Sequence, residues 1–80
     1  MKIYGYAKDS DNLQELIEVS IQANADRIRS LAEFLNKTAD LMEKQGEKFD
    51  HLHYRDNVEN PPTGTDVIIV SLKFEKLNGK

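Results

Sequence analysis

Between Asn24 and Gly46 the apolar side chains recur every three or four residues, and no other stretch holds that period for long. This predicts a single helix over Ala25–Gln45. Asn24 is a good N-cap, because its side-chain oxygen accepts from a free amide of the first turn. Gly46 is the natural stop, since glycine takes the left-handed conformation without strain. The stripe is Ile28, Leu31, Leu35, Ala39 and Met42, widened by Ala32, Phe34, Thr38 and Leu41. In a chain of 80 residues with one helix, any sheet must build its core against that helix alone.

The flanking segments carry the other period. In residues 2–7, Ile3, Gly5 and Ala7 alternate with Lys2, Tyr4 and Tyr6. A turn-forming cluster over 8–12 follows, read as a hairpin loop. In 14–23, Ile17, Val19, Ile21 and Ala23 share one face, and Leu16, Glu18, Ser20 and Gln22 share the other. Residues 13–17 also satisfy a helix start, so the beginning of that strand stays open. Residues 49–54 read as a short third strand, with Phe49, His51 and His53 on one side and Asp50, Leu52 and Tyr54 on the other. Residues 55–65 form a long loop rich in Asn, Gly and Pro, of a length that is often functional. Residues 66–74 give the strongest strand signal, through Val67, Ile68, Ile69 and Val70 and then Leu72 and Phe74. Their continuous apolar run suggests a central strand covered on both faces for part of its length.

The order is β-β-α-β-β. The simplest arrangement is an α+β fold: a four-stranded, mainly antiparallel sheet with one long helix packed on one face. One domain spans 1–80, with a core over 1–74 and a frayed tail over 75–80. Leu31, Leu35 and Met42 are expected to be buried against Val19, Ile21, Ile68 and Val70, so that Leu35→Ala costs about 2–5 kcal/mol. The other sheet face has no second layer. Its aromatic residues, Tyr4 and Tyr6 among them, invite a partner there.

Composition removes several functions. Cysteine is absent, which excludes disulfide frameworks, thiolate metal sites and thiol catalysis. The net charge is −3, against the basic stripe that a nucleic-acid binder carries. The longest unbroken apolar run is four residues, too short for a membrane span or a signal-peptide core. The serines lack a nucleophile-elbow context, and the four glycines are too dispersed for a phosphate loop. No acid sits inside the apolar helix stripe, where a raised pKa would suit it to general acid catalysis.

His51 and His53 are the only histidines. At i and i+2 on a strand they point the same way, and Asp50 or Asp56 is the natural third ligand for a catalytic zinc. Neither acid is fixed by alternation beside both rings, so no metal and no cofactor are expected. Charge is uneven as well. Residues 47–66 hold five acids (Glu47, Asp50, Asp56, Glu59 and Asp66) and two bases (Lys48 and Arg55), which accounts for the whole net charge of −3. Such a patch either keeps a loop solvated or steers a basic partner.

Several segments, taken in order and spacing, carry a family resemblance. They are Met1-Lys2-Ile3-Tyr4-Gly5-Tyr6-Ala7, Leu16-Ile17-Glu18-Val19, Ala25-Asp26-Arg27-Ile28-Arg29-Ser30-Leu31-Ala32-Glu33-Phe34-Leu35, Phe49-Asp50-His51-Leu52-His53-Tyr54-Arg55-Asp56 and Asp66-Val67-Ile68-Ile69-Val70. The chain resembles the immunity protein 32 family of bacterial polymorphic-toxin systems. The Phe-x-His-x-His-x-x-Asp stretch is the most distinctive part. Asn24-Ala25 stands where a Ser-Pro pair is usual, and the Pro61-Pro62-Thr63-Gly64 loop looks idiosyncratic. The resemblance implies a small cytoplasmic α+β protein, without enzymatic activity, that binds a cognate toxin.

On that footing the expected contact residues are His51, His53, Tyr54, Asp56, Glu59, Tyr4 and Tyr6. The expected partner is a protein toxin, with no nucleic acid and no membrane. The alternatives are a generic interaction domain that dimerises through the open sheet face, and, less favoured, a metal-dependent enzyme using His51 and His53.

Overall fold

The computed structural model describes residues 1–72. The elements are β1 (Ile3–Gly5), β2 (Gln14–Leu16), α1 (Ala25–Gln45), β3 (His51–His53) and β4 (Ile68–Val70), with single 3-10 turns at Gly46–Lys48 and Tyr54–Asp56. The α+β class and the β-β-α-β-β order agree with the sequence. Among the described residues the four strands form two separate antiparallel pairs, β1 with β2 and β3 with β4. Lys73 and Phe74, assigned above to the last strand, and the tail over 75–80 lie outside the described residues.

The helix has the predicted bounds because its caps work. Asn24 Oδ1 accepts from the Arg27 amide at 2.9 Å, and the Gly46 amide donates back to the Met42 carbonyl from a φ of 56°. Its buried side lies along one edge of the expected stripe, where Phe34 and Thr38 widened it, and not along the line through Leu35. Phe34 and Thr38 are buried, and Arg27, Ser30, Leu31, Leu41 and Met42 are half-buried. Leu35 and Ile28 are each 42% exposed. The helix is therefore rotated by roughly a quarter turn from the purely apolar solution, given about 3.6 residues per turn. Two hydroxyls make this rotation acceptable. Thr38 Oγ1 donates to the Phe34 carbonyl at 2.7 Å, and Ser30 Oγ shares a 2.7 Å hydrogen bond with the Tyr54 phenol. Neither brings an unpaired polar group into the core.

The core is small. Among the described residues only Phe34, Phe49 and Tyr54 are fully buried apolar side chains, joined by Thr38 and Ser71. The Phe34 and Tyr54 rings lie 5.2 Å apart at 60° and tie the helix to the end of β3. The expected burial of Leu31, Leu35 and Met42 against Val19, Ile21, Ile68 and Val70 is corrected accordingly. Val19 and Ile21 are more than half exposed, and Ile68 and Val70 are 46% exposed.

The second strand is shorter than its alternation implied. It ends at Leu16, the chain bends at Ile17, and 18–24 has no regular structure. Alternating β-branched residues make a strand only where a ladder takes up the backbone groups, and none does here among the described residues. In the β1–β2 hairpin Ile3 opposes Leu16 and Gly5 opposes Gln14. Ile3, Gly5 and Leu16 are half-buried, whereas Tyr4 and Tyr6 are exposed, as the period of two in 2–7 requires. A Cβ on Gly5 would stand 3.1 Å from Leu16 Cδ1, so any larger residue there must shift the end of the Leu16 side chain.

The β3–β4 register pairs His51 with Val70, Leu52 with Ile69 and His53 with Ile68. Backbone bonds from Ser71 to Asp50 and from Tyr54 to Val67, both 2.8 Å, extend the ladder at either end. Leu52 and Ile69 are half-buried. The opposite face, with His51, Ile68 and Val70, is open, so β4 is not covered on both sides as its apolar run suggested.

Candidate functional site

The open face of β3–β4 carries the two histidines. Their ring centres are 5.2 Å apart with the planes at 73°. His51 is exposed, and the His53 side chain is 31% exposed. The acid that meets His53 is Asp66, not Asp50 or Asp56. Asp66 Oδ2 lies 2.7 Å from His53 Nδ1. Its Oδ1 accepts from the amides of Arg55 and Val67, each at 2.9 Å. The Arg55 guanidinium stands 3.8 Å away.

Removal from water alone would raise the Asp66 pKa. The His53 bond, the two amides and the Arg55 charge outweigh it and hold the carboxyl below its ordinary value. An ionised carboxylate only accepts, so His53 Nδ1 carries the proton and donates. Asn57 Nδ2 also donates to the His53 carbonyl at 2.7 Å. These bonds fix the turn after β3 to the start of β4 across the intervening loop.

Tyr54 is not on the surface. It is 2% exposed, and its phenol bonds Ser30 Oγ at 2.7 Å and accepts from Arg27 Nη1 at 3.2 Å. The Ser30 bond lowers the phenol pKa, burial opposes it, and Arg27 lowers it further, for a net decrease. The expectation of Tyr54 as a contact residue is therefore corrected: its ring belongs to the core. Sequence reasoning missed this cluster, although Arg27 and Ser30, three apart, share a helix face.

The remaining candidates divide between two places. Asp56 and Glu59 are exposed on the turn and loop beyond β3. Tyr4 and Tyr6, 45% and 65% exposed, belong to the β1–β2 side of the chain. Asp66 leaves the electrostatic patch because its charge is engaged, which leaves four exposed acids, Glu47, Asp50, Asp56 and Glu59, against Lys48 and Arg55. A groove of about 880 Å³ opens between the first half of the helix and the loop, lined by Arg27, Ser30, Glu33, Asn57 and Glu59 among others. Its mixed charge and open form suit a protein contact better than an enclosed substrate. Among the described residues no three His, Cys, Asp or Glu side chains converge to hold a metal ion. No helix there is long and apolar enough to cross a membrane.

The chain is a small α+β scaffold with an open β3–β4 face and exposed acids before and after β3. The family model of immunity protein 32 matches residues 18–72, well over half of the chain, and the chain belongs to that family. The match takes in the helix, both histidines and β4, and leaves the β1–β2 hairpin outside. No curated protein and no solved structure matches the chain.

Proposed function

We propose that this chain neutralises a cognate protein toxin of a bacterial polymorphic-toxin system by binding it in the producer's cytoplasm, without catalysis of its own. Membership of the immunity protein 32 family carries this reading. The open β3–β4 face and the four exposed acids before and after β3 in the chain support the manner of action. Apolar and aromatic side chains supply the strength of a contact, and acids at its edge guide the approach. The contact residues in this reading are His51, His53, Asp56 and Glu59, with Tyr4 and Tyr6 as a second patch. Tyr54 holds the surface from beneath.

The test is co-purification with the toxin domain encoded next to the gene, followed by titration calorimetry and a growth assay in cells expressing that toxin. A one-to-one complex and restored growth are expected. Failure to form a complex, with both proteins folded, would reject the reading. A second reading, self-association through the same face, draws on the exposure of Ile68 and Val70. It requires a molar mass that rises with concentration when the chain is alone.

A further inference from the structure

The histidine pair is more than two exposed rings, because Asp66 orders one of them. We propose that His51 and His53 form a two-point chelate for a divalent d-block cation of the zinc class, with Asp66 as the outer anchor and the remaining coordination positions open. Three observations meet here. Strand alternation puts both imidazoles on one face of β3. Their ring centres are 5.2 Å apart. Two imidazoles on one tetrahedral ion place their centres about 5 Å apart, given metal–nitrogen bonds of about 2.0–2.1 Å. The third observation is the 2.7 Å bond between His53 Nδ1 and Asp66. With the proton held on Nδ1, the lone pair of neutral His53 is on Nε2, the atom directed away from the anchor. A carboxylate that fixes the tautomer and raises the basicity of a histidine is the usual outer partner of a metal ligand.

The sequence offered Asp50 or Asp56 as a third ligand, and without one no metal was expected. Asp66 changes that judgement by a different route, because it prepares a ligand instead of adding one. Imidazole donors select zinc, nickel and copper over magnesium and calcium, which prefer oxygen. Two protein ligands leave room for water or for a side chain from a second molecule. The chelate uses two histidines that the proposed toxin contact also uses, but it does not rest on that reading and is measured on the chain alone.

The test is calorimetric titration with Zn²⁺, and with Mg²⁺ as the hard-cation control, while the imidazole CH signals are followed by NMR. One saturable Zn²⁺ site per chain is expected, with both histidine rings shifting together and no response to Mg²⁺. His51→Gln, an exposed substitution, should weaken Zn²⁺ binding at least tenfold with circular dichroism unchanged. Asp66→Asn should weaken it about 10–100-fold, the usual effect of losing an outer partner. If Asp66→Asn does not fold, His53→Gln serves as the second variant and should abolish the site. The proposal is overturned by the absence of saturable Zn²⁺ binding, or by Zn²⁺ binding that survives His51→Gln. Unchanged affinity in folded Asp66→Asn removes the anchor.

Discussion

Asp66 shows how one side chain decides both local structure and pH response. Its two oxygens bond His53, Arg55 and Val67, so it closes the loop between β3 and β4 at its base. No periodicity announces this, because the bonds join residues 13 and 11 positions apart. The sequence reading placed the same residue in a solvent-facing acidic patch, since charge counts do not distinguish a steering acid from an engaged one. The pH response follows from the lowered carboxyl pKa. The unfolded value is about 3.9, so the stabilisation is complete above about pH 5 and is lost as pH falls through the lower folded value. Asp66→Asn, which cannot ionise, should be less stable than the natural chain at pH 7 by about 1–3 kcal/mol. The gap should narrow as pH falls from 5 towards 2 in paired thermal melts. A gap that stays constant over that range would mean that the carboxylate charge contributes nothing to the fold.

At the scale of elements, the helix was the most legible part of the chain. Its period, its asparagine cap and its glycine stop gave its bounds, and each works through local geometry alone. The face it buries was legible in part. The stripe included Phe34 and Thr38 on its edge but centred on Leu35, and the structure buries the edge, with half-buried Ser30 beside it, because hydroxyls that find partners are acceptable there. This difference is open to measurement. Phe34→Ala removes a ring that is 3% exposed and packed on Tyr54, so it should cost about 3–5 kcal/mol. Leu35→Ala, at 42% exposure, should cost only about 1 kcal/mol. Urea denaturation of the two variants decides between the stripes, and equal losses would place the helix in the orientation that apolarity suggested. The strands were legible unevenly. The ladder from Asp50 to Tyr54 against Val67 to Ser71 falls within the predicted segments, but β4 stops at Val70, and Leu72, expected to continue it, is not in the strand. Residues 17–23 did not become a strand, because propensity cannot supply the partner that a ladder needs.

For the whole molecule, the acidic excess of residues 47–66 was legible in the sequence, and its division between the fold and the surface was not. Once Asp66 is assigned to the fold, the excess rests on Glu47, Asp50, Asp56 and Glu59, opposed by Lys48 and Arg55. These acids flank β3 in the chain, and on the open β3–β4 face Ile68 and Val70 remain 46% exposed. That geometry separates two roles. The exposed aliphatics and imidazoles would set how long a complex lasts, while acids at the rim set how quickly it forms. Asp56→Lys and Glu59→Lys exchange an attraction for a repulsion without touching the core. Each should slow association with the neighbouring toxin domain about two- to tenfold at low salt, with dissociation nearly unchanged. The effect should fade as salt approaches about 1 M, where charges are screened over about 3 Å. Surface plasmon resonance at two salt concentrations reads both rates. Association untouched by either reversal at low salt would move the steering surface elsewhere, to the exposed side of the helix bearing Arg29, Glu33, Lys37 and Asp40. The same two-salt measurement on charge reversals at those positions would then locate it.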